Sequence, residues 1–504
     1  MRSKNALSNL ITYIVYEIFA FALGILIPHF IILIYGSEVN GLTSTITRIL
    51  SLINLVQAGA VGAAIYQMYK PVADNDFETQ SAIIYSSRKF YNKISLIYFA
   101  LAVAIGLFYS FYLENDNLKF LSIFLSFLIL ALNGTNILLF NSICDIFLSP
   151  HQKKYYLSIS AIVELVVRYG LMAVVLALRL NFVFIYVCYL IGGISSIFLN
   201  IFFYKKFSKK VLTRNPKCKD YKIPDRKYLM LASIGSEIVS ASPTIIITTF
   251  ISLTSSSIFS LYALIFTSMK TILNSIQLSF SAIFGNLTKS ANDSKIYQVY
   301  SIIELITIAL GTICASCVGF LLPAFVNLYT IGADANYLST SLAIFTVVFT
   351  VIFAFRTSFS FVATVYGLFK DTCKITLVFG GIGILVSLFC VIAFGMPYVM
   401  IGIIFNELSC AITTLVVIKK KVLWFKTKKL LVRSCIMAIV SALSTVAYYI
   451  GNPIITNWAT WILYGVIIGL ISLLIISLYC FAFERKSISL LFGYFKTFRK
   501  KENL

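Results

Sequence analysis

About fourteen apolar stretches, each roughly 20 residues long, follow one another along this 504-residue sequence and dictate its solvent. They fall near 11–35, 41–66, 94–113, 120–147, 157–178, 182–204, 229–251, 258–284, 296–322, 341–366, 375–394, 398–418, 434–451 and 462–483. As helices, runs of that length match the hydrocarbon thickness of a bilayer; transmembrane strands would alternate over about ten residues instead. Only 12% of the residues are charged, about half the share of a soluble domain, too few to solvate a water-facing surface of this size. The expectation is an all-α polytopic membrane protein with about 14 transmembrane helices. Met1–Asn9 carries Arg2 and Lys4, but the apolar run behind it is too long for the core of a signal peptide.

Lysine and arginine placement orients the chain. An even number of spans starting in the cytoplasm puts Lys70, Arg88, Lys89, Lys93, Lys153, Lys154, Lys289, Lys295, Lys370 and Lys374 inside. The runs 205–227 and 419–433 and the tail 485–501 fall on the same side. Roughly 35 of the 41 bases then lie inside and about two, Lys119 and Arg179, outside. Both termini are thus expected in the cytoplasm and the protein in the inner (plasma) membrane. The same partition accounts for the net charge of +22: bases in short loops between spans meet anionic inner-leaflet lipids rather than nucleic acid. The tail repeats Leu490, Leu491, Phe495 and Phe498 opposite Lys496, Arg499 and Lys500, the pattern of a helix lying in the interface. Trp424, Trp458 and Trp461 fall near span ends, where an aromatic belt would sit.

Nothing in the sequence points to an enzyme, a cofactor or a metal. The ten cysteines are scattered; Cys314 and Cys317 form a C-x-x-C without a second pair or a nearby histidine to complete a metal site. There is no phosphate-binding loop or nucleophile elbow, and the outer loops are short.

The basic segment 205–228, with Pro216 and Pro224, reads as a linker between two pseudo-symmetric six-helix lobes, 1–204 and 229–418; 419–504 adds two helices and the tail. A shift of about 220 residues aligns Glu17 with Glu237, Gly41-Leu42 with Leu261-Tyr262 and Thr47 with Thr267, and each first helix carries a proline, Pro28 or Pro243. Such a parallel repeat suits a transporter with a central cavity.

Several charges lie within the spans, where an unpaired one costs about 3 kcal/mol or more. Glu17, Glu164, Glu237 and Glu304 sit roughly 10 Å in from the cytoplasmic end of their spans, while Arg48, Lys270 and Arg356 lie deeper. Glu164 and Arg168, one turn apart, neutralise each other. Glu407 is alone in its span and suits either packing or a cavity; His29, beside Pro28, suits outer-leaflet packing. Glu17 and Glu237 recur between the halves, as do Arg48 and Lys270, and Arg356 has no acid within four residues. These are the cavity candidates. Bases in a cavity suit phosphate or carboxylate cargo.

The stretch Gly36-Ser37-Glu38-Val39-Asn40-Gly41-Leu42, then Leu55, Gly59, Gly62, Ala63 and Tyr69-Lys70-Pro71, resembles the opening of the polysaccharide-export (Wzx-type) flippases. These belong to a superfamily with multidrug antiporters and the lipid II flippase. Arg88-Lys89-Phe90, and the arrangement of spans along the whole chain, are also similar. Gly36 and Gly41 suit a tight outer turn, and Gly59 and Gly62 a close helix approach. The resemblance implies flipping of undecaprenyl-pyrophosphate-linked oligosaccharide across the cytoplasmic membrane, with polysaccharide polymerase and glycosyltransferases as partners. In that reading Arg48, Lys270 and Arg356 bind the anionic cargo, and Glu17, Glu237 or Glu304 couples transport to protons or sodium. The lipid II flippase carries a base on its first helix; here that span offers Glu17 and His29, which disfavours a peptidoglycan precursor. The rivals are a cation-coupled multidrug antiporter, a flippase of another polyprenyl-linked cell-wall precursor, and a membrane polymerase, which would want a large outer loop.

Overall fold

The computed structural model describes residues 2–54, 60–209, 226–290 and 292–484. The candidate glycine Gly59, Leu55, most of the 205–228 linker and the amphipathic tail lie outside them. Everything described is helix or connecting turn, as bilayer chemistry demands: a helix satisfies its own backbone where lipid offers no partner.

The first helices are α1 (Arg2–Tyr35), α2 (Ser37–Ile53), α3 (Ala60–Ala73) and α4 (Phe77–Tyr112). Helix α5 (Phe120–Asn136) runs through a π-helical turn at Ile137–Asn141 into α6 (Ser142–Leu148), and α7 (Lys154–Ala177) and α8 (Val183–Ser208) follow. The later helices are α9 (Arg226–Phe250), α10 (Leu253–Ser290), α11 (Asp293–Tyr329), α12 (Thr340–Val365), α13 (Phe369–Phe394), α14 (Val399–Lys421), α15 (Lys428–Gly451) and α16 (Trp458–Phe483). Helix starts recur at an offset of 215 to 220 residues: Phe77 and Asp293, Phe120 and Thr340, Lys154 and Phe369, Val183 and Val399. Pro28 and Pro243 both lie inside continuous helices.

Local chemistry sets the boundaries. Asp76 caps α4 by accepting from Thr79 N at 2.9 Å, and Asn457 caps α16 by accepting from Thr460 N at 2.8 Å. Gly36, at φ +86°, turns the chain between α1 and α2. Gly41 does something other than turn. It lies inside α2, where a Cβ would fall 1.9 Å from the Leu253 carbonyl oxygen, so the missing side chain admits the start of α10. Gly62, by contrast, has nothing among the described residues within 4 Å of the place a Cβ would occupy.

Among the described residues twelve helices are long and apolar enough to cross a membrane. Of the other two expected spans, 229–251 falls on the 25-residue α9, and 41–66 has its described parts in α2 and α3, with 55–59 outside the described residues.

The chain forms two compact units, one of Met1–Thr248 with Ser252–Ser257, the other of Thr249–Ile251 with Ile258–Leu504. In the first, Ile46, Tyr98, Phe127, Tyr186 and Leu253 share a core. Polar contacts tie α2 to the α9–α10 corner: Asn40 Nδ2 donates to Ser257 Oγ at 2.7 Å, and the Thr45 and Thr248 hydroxyls meet at 2.6 Å. In the second, α15 and α16 pack on α11, with Phe320, Leu328 and Ile455 in their seam.

The aromatic belt is only partly present. Trp424 is buried at 6% exposure, donates from Nε1 to the Tyr366 hydroxyl at 2.6 Å and sits among Phe284, Tyr300 and Phe425. Trp461 donates to the Leu321 carbonyl at 3.1 Å, and Trp458 alone is exposed. Proximity to a span end suggested lipid contact; long-range packing decided otherwise.

Candidate functional site

The first unit holds a polar cavity of about 630 Å³. Helix α1 supplies Tyr13 and Tyr16, and α9 supplies Glu237. Asp145 comes from α6, Glu164 from α7, and Asn200 from α8. The π-helical turn contributes Asn141, which accepts from Asn200 Nδ2 at 3.0 Å. The side-chain oxygens of Asn200 and Asn54, both on the cavity wall, are buried without a hydrogen-bond partner among the described residues. Three carboxylates share this wall with one base, Lys154, and Glu164 is paired with Arg168, so a small excess of acid remains beside the amide oxygens, a setting that suits a proton or a cation. No group of three His, Cys, Asp or Glu close enough to hold a metal occurs among the described residues.

Two of the acids singled out in the sequence therefore share one cavity, Glu164 and Glu237. Glu164 keeps its expected partner, Arg168 Nη1 at 3.4 Å, and that guanidinium lies over the Tyr169 and Tyr189 rings at 4.6 and 4.8 Å. Glu17 is half-buried one turn from Tyr13, within reach of its hydroxyl, and is not on the cavity wall. Arg48 feels the Glu237 charge and has no carboxylate within 4 Å among the described residues.

The second unit holds the other bases. Lys270, on α10, has its ammonium 5.3 Å from the Phe353 ring centre and 5.8 Å from that of Phe349. Both rings belong to α12, and Arg356 follows Phe353 by three residues, so Phe349, Phe353 and Arg356 share one face. Arg356 donates from Nη1 to Glu407 Oε2 on α14 at 2.6 Å and stays 24% exposed at its side chain. With Glu407 counted, the Lys270–Arg356 patch keeps one uncompensated positive charge, set against aromatic faces.

Glu304 is placed differently from Glu17 and Glu237. It is 1% exposed, and Arg433 Nη1 lies 2.9 Å from it. The same guanidinium reaches Glu484 through Nη2 at 2.9 Å and donates to the Ser301 carbonyl and hydroxyl at 2.9 and 3.0 Å. Lys429 completes the group at 2.9 Å from Glu484. This network pins α15 and the end of α16 to α11. Asp145, Asn54, Asn200 and the two tyrosines were not among the residues singled out from the sequence; their only trace there is polarity in otherwise apolar spans.

No family model matches the chain, and no curated protein matches it in sequence. Solved structures do. An inward-facing multidrug resistance MATE family transporter of the MOP superfamily superposes with a TM-score of 0.63 at 13% identity, over 78% of this chain and 93% of that one. The fold is that of the MOP-superfamily transporters. The lipid II flippase MurJ, in an inward closed conformation, gives 0.62 at 16% identity over 93% of this chain and 98% of its own. A MOP-superfamily transporter from Pyrococcus furiosus, described by the reverse polarity of its binding pocket, gives 0.56 at 12% identity over 83% and 94%. The MOP fold thus covers nearly all of the chain, both multidrug transporters and a lipid flippase share it, and the protein is a multi-pass membrane protein.

Proposed function

We propose that this MOP-fold protein is a flippase. It carries undecaprenyl-pyrophosphate-linked oligosaccharide repeat units across the cytoplasmic membrane by alternating access, for capsule, exopolysaccharide or O-antigen synthesis. The observation that carries the reading is Lys270: a base within a span, held over two aromatic rings one turn from Arg356, with no carboxylate within 4 Å among the described residues. A poorly solvated ammonium in that setting favours an anionic guest, and the neighbouring Arg356, with Nη1 engaged by Glu407, has its remaining donors for phosphate. Aromatic faces beside bases also suit sugar rings. Arg48 is the corresponding base of the first half. In this mechanism the bases hold the pyrophosphate, while a proton or sodium ion taken up at Glu237 or Glu17 biases one of two arrangements of the lobes 1–204 and 229–418. Glu304, locked by Arg433, serves the scaffold. Polysaccharide polymerase and glycosyltransferases act on either side of this step and are the expected partners.

The test is Lys270→Ala, Arg356→Ala and Arg48→Ala at matched membrane abundance. Each should lower surface polysaccharide, and Arg356→Lys should retain part of it. Normal polysaccharide in all three alanine variants would remove the bases from the mechanism.

A second reading, a cation-coupled multidrug antiporter, is favoured by one observation: the first unit's cavity sets three acids, Asp145, Glu164 and Glu237, against one base, Lys154, beside Tyr13 and Tyr16, and aromatic faces with an excess of acid suit organic cations. Efflux of a cationic dye that disappears in Glu237→Gln and persists in Lys270→Ala would favour it.

A further inference from the structure

A second cavity, of about 870 Å³, lies in the first unit between α4, the α5–α6 π-turn and α8, apart from the acidic one. Its two ends differ in chemistry. At one end stand Arg88 and Lys205 with Asn92 and the Tyr204 ring; at the other, Phe99, Leu132 and Leu139 line an apolar wall. No carboxylate lines it, and neither base has an ion-pair partner among the described residues.

The dimensions fit one leaflet. From Arg88 to Phe99 along α4 is about 16 Å, and from Cys144 back to Leu132 along α6 and α5 about 18 Å, against a half-bilayer of about 15 Å. The groove is open at its side: Leu96, Leu132 and Phe140 are 71%, 38% and 41% exposed. The π-turn at Ile137–Asn141 widens the helix where the groove passes, a feature common at functional sites. Arg88 and Lys205 both belong to segments that the charge partition assigns to the cytoplasm, the side on which the leaflet is anionic.

We propose that this groove is a binding site for an anionic glycerophospholipid of the inner leaflet, its phosphate on Arg88 and Lys205 and one acyl chain along Phe99, Leu132 and Leu139. A soluble anion would use the bases and leave the long apolar wall idle; a neutral lipid would leave the bases idle. The site needs both. It is independent of what the protein transports, and a lipid seated there bridges three helices of one unit.

The experiment is lipid retention by the full-length protein in detergent, read by native mass spectrometry with added phosphatidylglycerol or phosphatidylcholine. The wild type should retain phosphatidylglycerol in preference. Arg88→Gln/Lys205→Gln should bind it about thirty-fold more weakly, the factor two basic contacts carry, and lose the preference. Arg88→Lys/Lys205→Arg should keep it, which separates charge from misfolding. Leu132→Trp, filling the apolar end at an exposed position, should reduce retention with both bases intact. Millimolar inorganic phosphate should not displace the lipid. An undiminished preference in Arg88→Gln/Lys205→Gln, full retention in Leu132→Trp, or complete displacement by phosphate would each overturn the assignment.

Discussion

Replacing Arg433 by methionine tests what holds the last two helices in place. The guanidinium is 1% exposed and serves two carboxylates at 2.9 Å, Glu304 and Glu484, besides both oxygens of Ser301. Methionine fills most of the volume and supplies none of the donors. Glu484 keeps Lys429 at 2.9 Å, but Glu304 is left as a buried carboxylate without a cation. Breaking a buried pair on one side costs about 3–5 kcal/mol, whereas removing both charges is often close to neutral. Arg433→Met should therefore destabilise by about 3–5 kcal/mol, and Arg433→Met/Glu304→Leu should return to within about 2 kcal/mol of the parent. Arg433→Lys should fall between, since an ammonium cannot present a planar fork to two acids. Denaturant titration in micelles, followed by tryptophan fluorescence, reads this directly: Trp458 and Trp461 are on α16, and Trp461 bonds the Leu321 carbonyl of α11 at 3.1 Å. A cost below about 1 kcal/mol for the single variant, or a double variant weaker than the single one, would refute the reasoning.

Gly41→Val should destabilise by about 1–3 kcal/mol through overpacking against Leu253, while Gly62→Ala, which meets nothing within 4 Å among the described residues, should be neutral or slightly stabilising; thermal denaturation of both variants compares them. In the turn after α6, burial holds the His151 imidazole below its ordinary value of 6.5; the Phe147 carbonyl bond opposes this, and Lys153 adds a smaller push downward. A depressed histidine stabilises the folded protein fully above about pH 6.5 and loses that contribution as pH falls through the lower folded value; melting temperatures between pH 7.5 and 5 should fall more steeply for the parent than for His151→Gln. Single cysteines in a cysteine-free background should react with an impermeant reagent from outside at 114–119 and 452–457, and not at 205–228 or 419–433; outside labelling of 205–228 would invert the orientation.

The helices were legible because lipid imposes a simple rule: about twenty apolar residues for each crossing. Local pairs were legible too. Glu164 and Arg168 are one turn apart, and the structure joins them as their spacing required. What the chain's local pattern does not encode is which helix meets which. Arg433 reads as the last base of a cytoplasmic run, yet it is buried against Glu304 from a helix 129 residues earlier. Arg356 lacks an acid within four residues but finds Glu407 on another helix. Trp424 looks like an interfacial anchor and is a core residue. Polar residues within apolar spans were the one usable trace of the acidic cavity, and asparagine was the type overlooked: Asn54, Asn141 and Asn200 all line it.

Flipping in proteoliposomes addresses the central claim most directly. Vesicles loaded with a fluorescent undecaprenyl-pyrophosphate-linked oligosaccharide and reconstituted with the protein are scored by an impermeant quencher for transfer between leaflets. The parent should transfer the lipid, Lys270→Ala and Arg356→Ala should lose most of that transfer at equal reconstitution, and no comparable transport of a cationic dye should appear. Undiminished flipping in both variants, or dye transport without lipid transfer, would contradict the proposed function.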